Sequence, residues 1–140
     1  MRIAMQSLHE RPMEWFSSGV MVVWSATLSL PGDLLAQPGF VAFHRFGLSE
    51  TFWAAAFAAF GVGGLVALFI NGRWPRTPYI RICRAVFGAL SWGQVSWLLY
   101  MASEINGTPI STGCGVYALL AAFELISIQT AAYDARYNNA

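Results

Sequence analysis

The chain has 140 residues, enough for one domain. Hydrophobic residues make up 56% and charged residues 11%, against about 25% charged in a soluble domain, so polar groups are too few to cover a water-facing surface. The formal charge of +1 gives no electrostatic basis for a nucleic-acid or acidic partner.

Four apolar runs cover about residues 15–30, 52–70, 85–102 and 112–132. Each approaches the ~20 residues that span ~30 Å of hydrocarbon. The expected fold is therefore all-α: an integral membrane four-helix bundle forming a single transmembrane domain over residues 1–140. The first run is the shortest, and its helix is expected to begin near Pro12. A cleaved signal peptide is the alternative for it, since Arg2 and Arg11 precede it. The leader also carries Glu10 and Glu14, however, and no small-x-small cleavage site follows, so retention as a span is expected.

The long link at 31–50 contains Pro-Gly twice, then Phe40, Phe43 and Phe46 at intervals of three, with His44 and Arg45 between them. This pattern fits a short amphipathic helix in the headgroup region. It fits equally well a loop whose aromatics plug one end of the bundle. Ser49 and Glu50 form a helix-start signal for the second span. Along that span Ala55, Ala59, Gly63 and Ala67 recur every four residues, a smooth stripe that allows close helix approach. Asn71-Gly72 is a helix stop, and Thr77-Pro78 starts the third helix.

All eight basic residues are arginine, and their placement sets the orientation. Arg73, Arg76, Arg81 and Arg84 cluster at the link before the third span with no acid among them. Arg2, Arg11 and Arg136 lie in the leader and tail. The first link holds Arg45 beside Asp33 and Glu50, and the last link holds Glu104. The positive-inside rule then places both termini and the arginine-rich link in the cytoplasm, in an inner-membrane, multi-pass arrangement. Arg73, Arg76, Arg81 and Arg84 read as cytoplasmic anchors, the last two snorkelling to headgroups. Trp15, Trp53, Trp74 and Tyr79 fall near span ends, where aromatic belts form.

The third span carries a second small stripe, Ala85, Ala89 and Gly93, followed by Gln94. Asn106-Gly107 reads as a turn, and Thr108-Pro109 as the start of the fourth helix. That helix has Cys114, Ala118 and Ala122 at the same spacing, and within it lies Glu124. The small stripes are expected to pack the helices of one chain; association between copies is the sharper alternative. An ionised carboxylate at the depth of Glu124 costs ~2.5 kcal/mol or more, so it needs a polar partner. Gln94, at similar depth, is the expected partner in an intramembrane polar pair.

Cys83 and Cys114 are expected near opposite membrane faces and are read as unpaired packing residues. His9 and His44 are isolated, so no metal site is expected. Asn106-Gly107-Thr108 matches a short glycosylation pattern of little specificity. No nucleophile elbow, phosphate loop or redox cysteine pair is present, and neither enzymatic activity nor a cofactor is expected.

Residues 70–81 (INGRWPRTPYIR), residues 111–118 (STGCGVYA) and residues 30–33 (LPGD) resemble small four-span membrane proteins of tailed phages and prophages. The resemblance covers most of the layout, and its motifs are structural punctuation rather than chemistry. It implies a phage product in the host inner membrane. The leading expectation is a holin-like protein that oligomerises and permeabilises that membrane, with the lipid bilayer and other copies as partners. The short, nearly neutral tail departs from the charged tail of many holins. The alternatives are a non-lytic partner of a phage or host membrane protein, acting in superinfection exclusion or assembly, and a small proton-coupled transporter using Glu124.

Overall fold

The computed structural model describes residues 12–71 and 78–137, and no strand occurs among them. Four long helices carry the chain: α1 (Pro12–Leu28), α3 (Glu50–Asn71), α4 (Pro78–Asn106) and α5 (Thr112–Tyr137). Between α1 and α3, a 3-10 turn at Pro38–Phe40 leads into the short helix α2 (Val41–Arg45). The all-helical class follows the sequence pattern, and each long helix includes most of one apolar run.

Local chemistry sets the helix ends. Ser49 Oγ accepts the Phe52 amide at 3.2 Å and so caps α3. At the end of α4, Gly107 takes φ +62°. Its amide bonds the Glu104 carbonyl at 3.3 Å, and the Thr108 amide bonds the Ser103 carbonyl at 3.0 Å. These two bonds form a Schellman stop, which needs the left-handed residue that glycine supplies. The start of α5 corrects one expectation. Thr108-Pro109 does not begin it; Ser111 does, its hydroxyl accepting the Gly113 amide at 3.2 Å. Arg73 and Arg76, with the Gly72 and Thr77 signals, lie outside the described residues.

The helices associate as two pairs, α1 along α3 and α4 along α5. Glycine permits the closest approaches within each pair. A Cβ on Gly61 would lie 2.9 Å from the Val22 backbone nitrogen, and one on Gly64 would lie 2.5 Å from Ser18 Oγ. In the other pair a Cβ on Gly88 would lie 2.7 Å from the Glu124 carboxyl carbon. The stripes expected from the sequence only partly coincide with these surfaces. Ala55, Ala59 and Gly63 are exposed and Ala67 is half-buried, because the inward face of α3 is offset to Phe57, Gly61, Gly64 and Leu68. On α4, Ala85 is buried while Ala89 and Gly93 are half-buried. On α5, Cys114 is buried, but Ala118 and Ala122 are exposed.

Large side chains fill the space between the pairs. Trp92 is fully buried, stacked on Tyr117 at 5.3 Å and packed on Phe57 at 6.0 Å. Trp24 continues the column and donates from its indole to the Tyr117 hydroxyl at 2.7 Å. The long link closes this end. Phe43 is 0% exposed, with its ring 5.4 Å from Trp53 and 6.3 Å from Trp24. Asn106 donates to the Pro38 carbonyl at 2.6 Å, and the Leu34 amide donates to Glu50 at 3.0 Å. The plug reading of the link therefore describes Phe43, whereas Phe46 remains exposed.

Among the described residues two helices, over Glu50–Ile70 and Thr112–Tyr133, are long and apolar enough to cross a membrane, and only 33% and 22% of their apolar windows are buried. The core helix of a water-soluble domain would be mostly buried, so this exposure favours a lipid environment. The packing contrast between neighbouring glycines is measurable. Gly61→Ala should destabilise the fold by about 1–3 kcal/mol through overpacking. Gly63, with nothing within 4 Å of its Cβ position, should accept alanine with no loss, in denaturant titrations of the detergent-solubilised monomer. Equal losses at both positions would contradict this packing.

Candidate functional site: a buried arginine–glutamate network

Glu14, Ser17 and Ser18 are spaced i, i+3, i+4 on α1 and so share a face. Arg81, Arg84, Gly88 and Trp92 follow one another at three or four residues along one face of α4. These two faces meet Glu124 of α5 at the end of the bundle opposite the plug. All four charged side chains are at least nine-tenths buried: 6% exposed for Glu14, 7% for Arg81, 9% for Arg84 and 2% for Glu124.

Arg84 grips Glu124 through a two-pronged fork, Nη1 to Oε1 at 3.1 Å and Nη2 to Oε2 at 2.6 Å. This is the planar geometry for which guanidinium and carboxylate are matched. Ser17 donates its hydroxyl to Glu124 Oε1 at 2.5 Å and accepts the Trp92 indole N–H at 2.8 Å. Arg84 Nη1 also lies 3.3 Å from Ser18 Oγ. Arg81 Nη2 donates to Glu14 Oε1 at 3.1 Å. Glu14 Oε2 accepts no hydrogen bond among the described residues and stands 4.0 Å from Arg84 Nη2, which joins the two ion pairs into one neutral quartet.

The absence of two side chains makes room for this network. Gly88 leaves the volume that the Glu124 carboxylate occupies, and Gly64 leaves the volume that Ser18 Oγ occupies beside the Arg84 stem. A lone buried charge would cost several kcal/mol, whereas a forked and hydrogen-bonded pair offsets most of that penalty. Chemically, the arrangement is a latch. Every charge has an opposite partner, and no group of three or more His, Cys, Asp or Glu residues among those described could hold a metal ion.

Glu124 lies inside the bundle, but its partner is not Gln94. Gln94 is exposed and borders a cleft with Ser91, Phe52 and Phe57. It follows Trp92 by two residues, which is about 200° around the helix. Equal depth along an axis does not fix direction around it. Arg81 and Arg84 are likewise corrected from headgroup anchors to interior ion-pair partners. Glu14 was missed because it sits at the start of α1, where an acid also serves the helix dipole. Its spacing to Ser17 and Ser18 was the available signal, since three polar residues on one face of an otherwise apolar helix need an interior partner.

Arg84→Ala strands Glu124 and should cost about 3–5 kcal/mol, whereas Gln94→Leu should change stability by no more than about 0.5 kcal/mol. Unfolding followed by tryptophan fluorescence in mixed micelles would rank the two, and the reverse ranking would contradict the network. Comparison with protein-family models, curated proteins and solved structures finds no significant match, so the reading of this site rests on its own chemistry.

Proposed function

We propose that all four long helices span the cytoplasmic membrane and that copies of the protein associate there and permeabilise it in a holin-like manner. The observation that carries the membrane reading is where the charges point. Arg81 and Arg84 dilute the apolar run of α4, but both are paired inside the bundle. The outward side chains of that helix include Ile80, Phe87, Leu90 and Trp97, all at least half exposed. Lipid therefore meets an apolar surface on α4 as it does on α3 and α5. On α1, Phe16 and Val23 are exposed while Glu14, Ser17 and Ser18 face inward. At 17 residues and ~1.5 Å per residue, α1 covers ~25 Å.

Orientation survives the correction to the two arginines. Setting Arg81 and Arg84 aside as internally neutralised leaves Arg2, Arg11, Arg73, Arg76 and Arg136 on one side and Arg45 on the other. The excess supports a cytoplasmic position for both termini. Association between copies is supported by Ala55, Ala59 and Gly63, which are exposed among the described residues. Close packing of such residues drives helix association in lipid. The proton-coupled alternative loses its main support, because the Glu124 carboxylate is held in the Arg84 fork.

Inducible expression with a potential-sensitive dye, with and without a co-expressed endolysin, tests the reading. Loss of potential, followed by lysis when endolysin is present, is expected. A bulky side chain on the exposed stripe should interfere with association alone, so Gly63→Leu should delay depolarisation while leaving membrane insertion intact. A steady potential at full accumulation of the wild-type protein would overturn the lytic role and leave an interaction partner or exclusion factor.

A further inference from the structure

The exterior of the helices is mostly apolar, and the buried charged side chains lie along one internal seam. Between α1–α3 on one side and α4–α5 on the other run the contacts Glu14–Arg81, Ser17–Glu124, Ser17–Trp92, Ser18–Arg84 and Trp24–Tyr117. Surface clefts follow the same seam on both flanks. Between α3 and α4 lie two, of about 220 and 210 Å³, the first with Gly64 and Ala67 facing Arg84 and Phe87. Between α1 and α5 lies one of about 510 Å³, with Met13 and Phe16 facing Leu119 and Phe123. Within each pair, by contrast, glycine makes room for close contact, at Gly61 for the Val22 backbone and at Gly88 for the Glu124 side chain.

From this asymmetry we infer that the two helix pairs part along the seam, and that the side chains it holds form the water-facing wall of the membrane lesion. The inference rests on the permeabilising role proposed above and names the surface that performs it. An apolar exterior cannot line an aqueous opening, so polar groups must come from inside. Glu14, Ser17, Ser18, Arg81, Arg84 and Glu124 are the supply. Parting the charged half of the seam exchanges their mutual hydrogen bonds for bonds to water, a near-balanced trade, and in the aromatic half the Trp24 indole and the Tyr117 hydroxyl supply the polar groups. Parting α1 from α3 would instead open van der Waals contacts that lipid replaces poorly. Arg84 stays forked to Glu124 across α4 and α5 when the seam opens, while the Glu14–Arg81 pair divides between the two walls.

The test uses the full chain with Cys83→Ser and Cys114→Ala as background. Single thiols are placed in the seam by Ser18→Cys and by Met21→Cys, whose buried side chain borders the α3–α4 cleft with Arg84, and on the lipid face by Val62→Cys. Each variant is induced in cells carrying a potential-sensitive dye, and a small charged methanethiosulfonate is added before and after the potential falls. The seam thiols should be protected at first and modified as the potential is lost, with the Val62→Cys thiol unmodified throughout. Depolarisation with the seam thiols as unreactive as the Val62→Cys thiol overturns the inference and leaves the permeabilising role standing. Seam modification without depolarisation keeps the opening and removes the lytic role. Protection of the seam under every condition, with no depolarisation, overturns both.

Discussion

Arg84 and Glu124 sit face to face on neighbouring helices, where Gly88 leaves room for the carboxylate. Neither charge could be placed alone in an apolar bundle, and neither could be turned outward if lipid surrounds it. That requirement fixes the rotation of α4 about its own axis and of α5 against it. It then draws in α1, because Ser17 completes the hydrogen bonding of Glu124 and hands the Trp92 indole an acceptor. Arg81 and Glu14 repeat the arrangement one turn away. One pairing thus orients three helices, and the aromatic column above it follows from where Trp92 must lie.

The rest of the bundle is built around that column. Trp24, Phe57 and Tyr117 pack against or close to Trp92 and hold the two helix pairs apart by the width of their rings. Phe43 fills the end of the column from the long link. The molecule therefore has a dry aromatic half beneath a plug and a charged half at the other end. The interface between the pairs is made of side chains rather than close backbones. Such an interface can be specific and still separable, as the proposed permeabilising role requires.

The number of long helices, their approximate extents and several helix ends were legible in the sequence, because apolar runs and capping residues act locally. Gly107 and Ser49 stop and start helices through bonds to residues at most a few positions away. The need to bury Glu124 was legible too, since it follows from the cost of charge alone. Its partner was not. Depth along the membrane suggested Gln94, but direction around α4 points Gln94 outward, and that direction is set by the whole set of contacts. The arginines were misread for a related reason: a helix-end arginine can snorkel or turn inward, and only the acid facing it on another helix decides. The small-residue stripes failed differently. Ala55, Ala59 and Gly63 satisfy the spacing for packing, yet Gly61 and Gly64 make the contacts.

The central claim is that inward pairing of the charges lets α1 and α4, as well as α3 and α5, cross the bilayer. The most direct measurement is the sidedness of the two links that flank α3 and α4, read by alkaline phosphatase fused after Gly47 or after Gly107, with fusions after Trp74 as reference. Four spans place Gly47 and Gly107 on the same, periplasmic side, so both fusions should be active and the Trp74 fusion inactive. If only α3 and α5 cross, Gly47 and Gly107 lie on opposite sides and one of the two fusions is inactive, which would contradict the account.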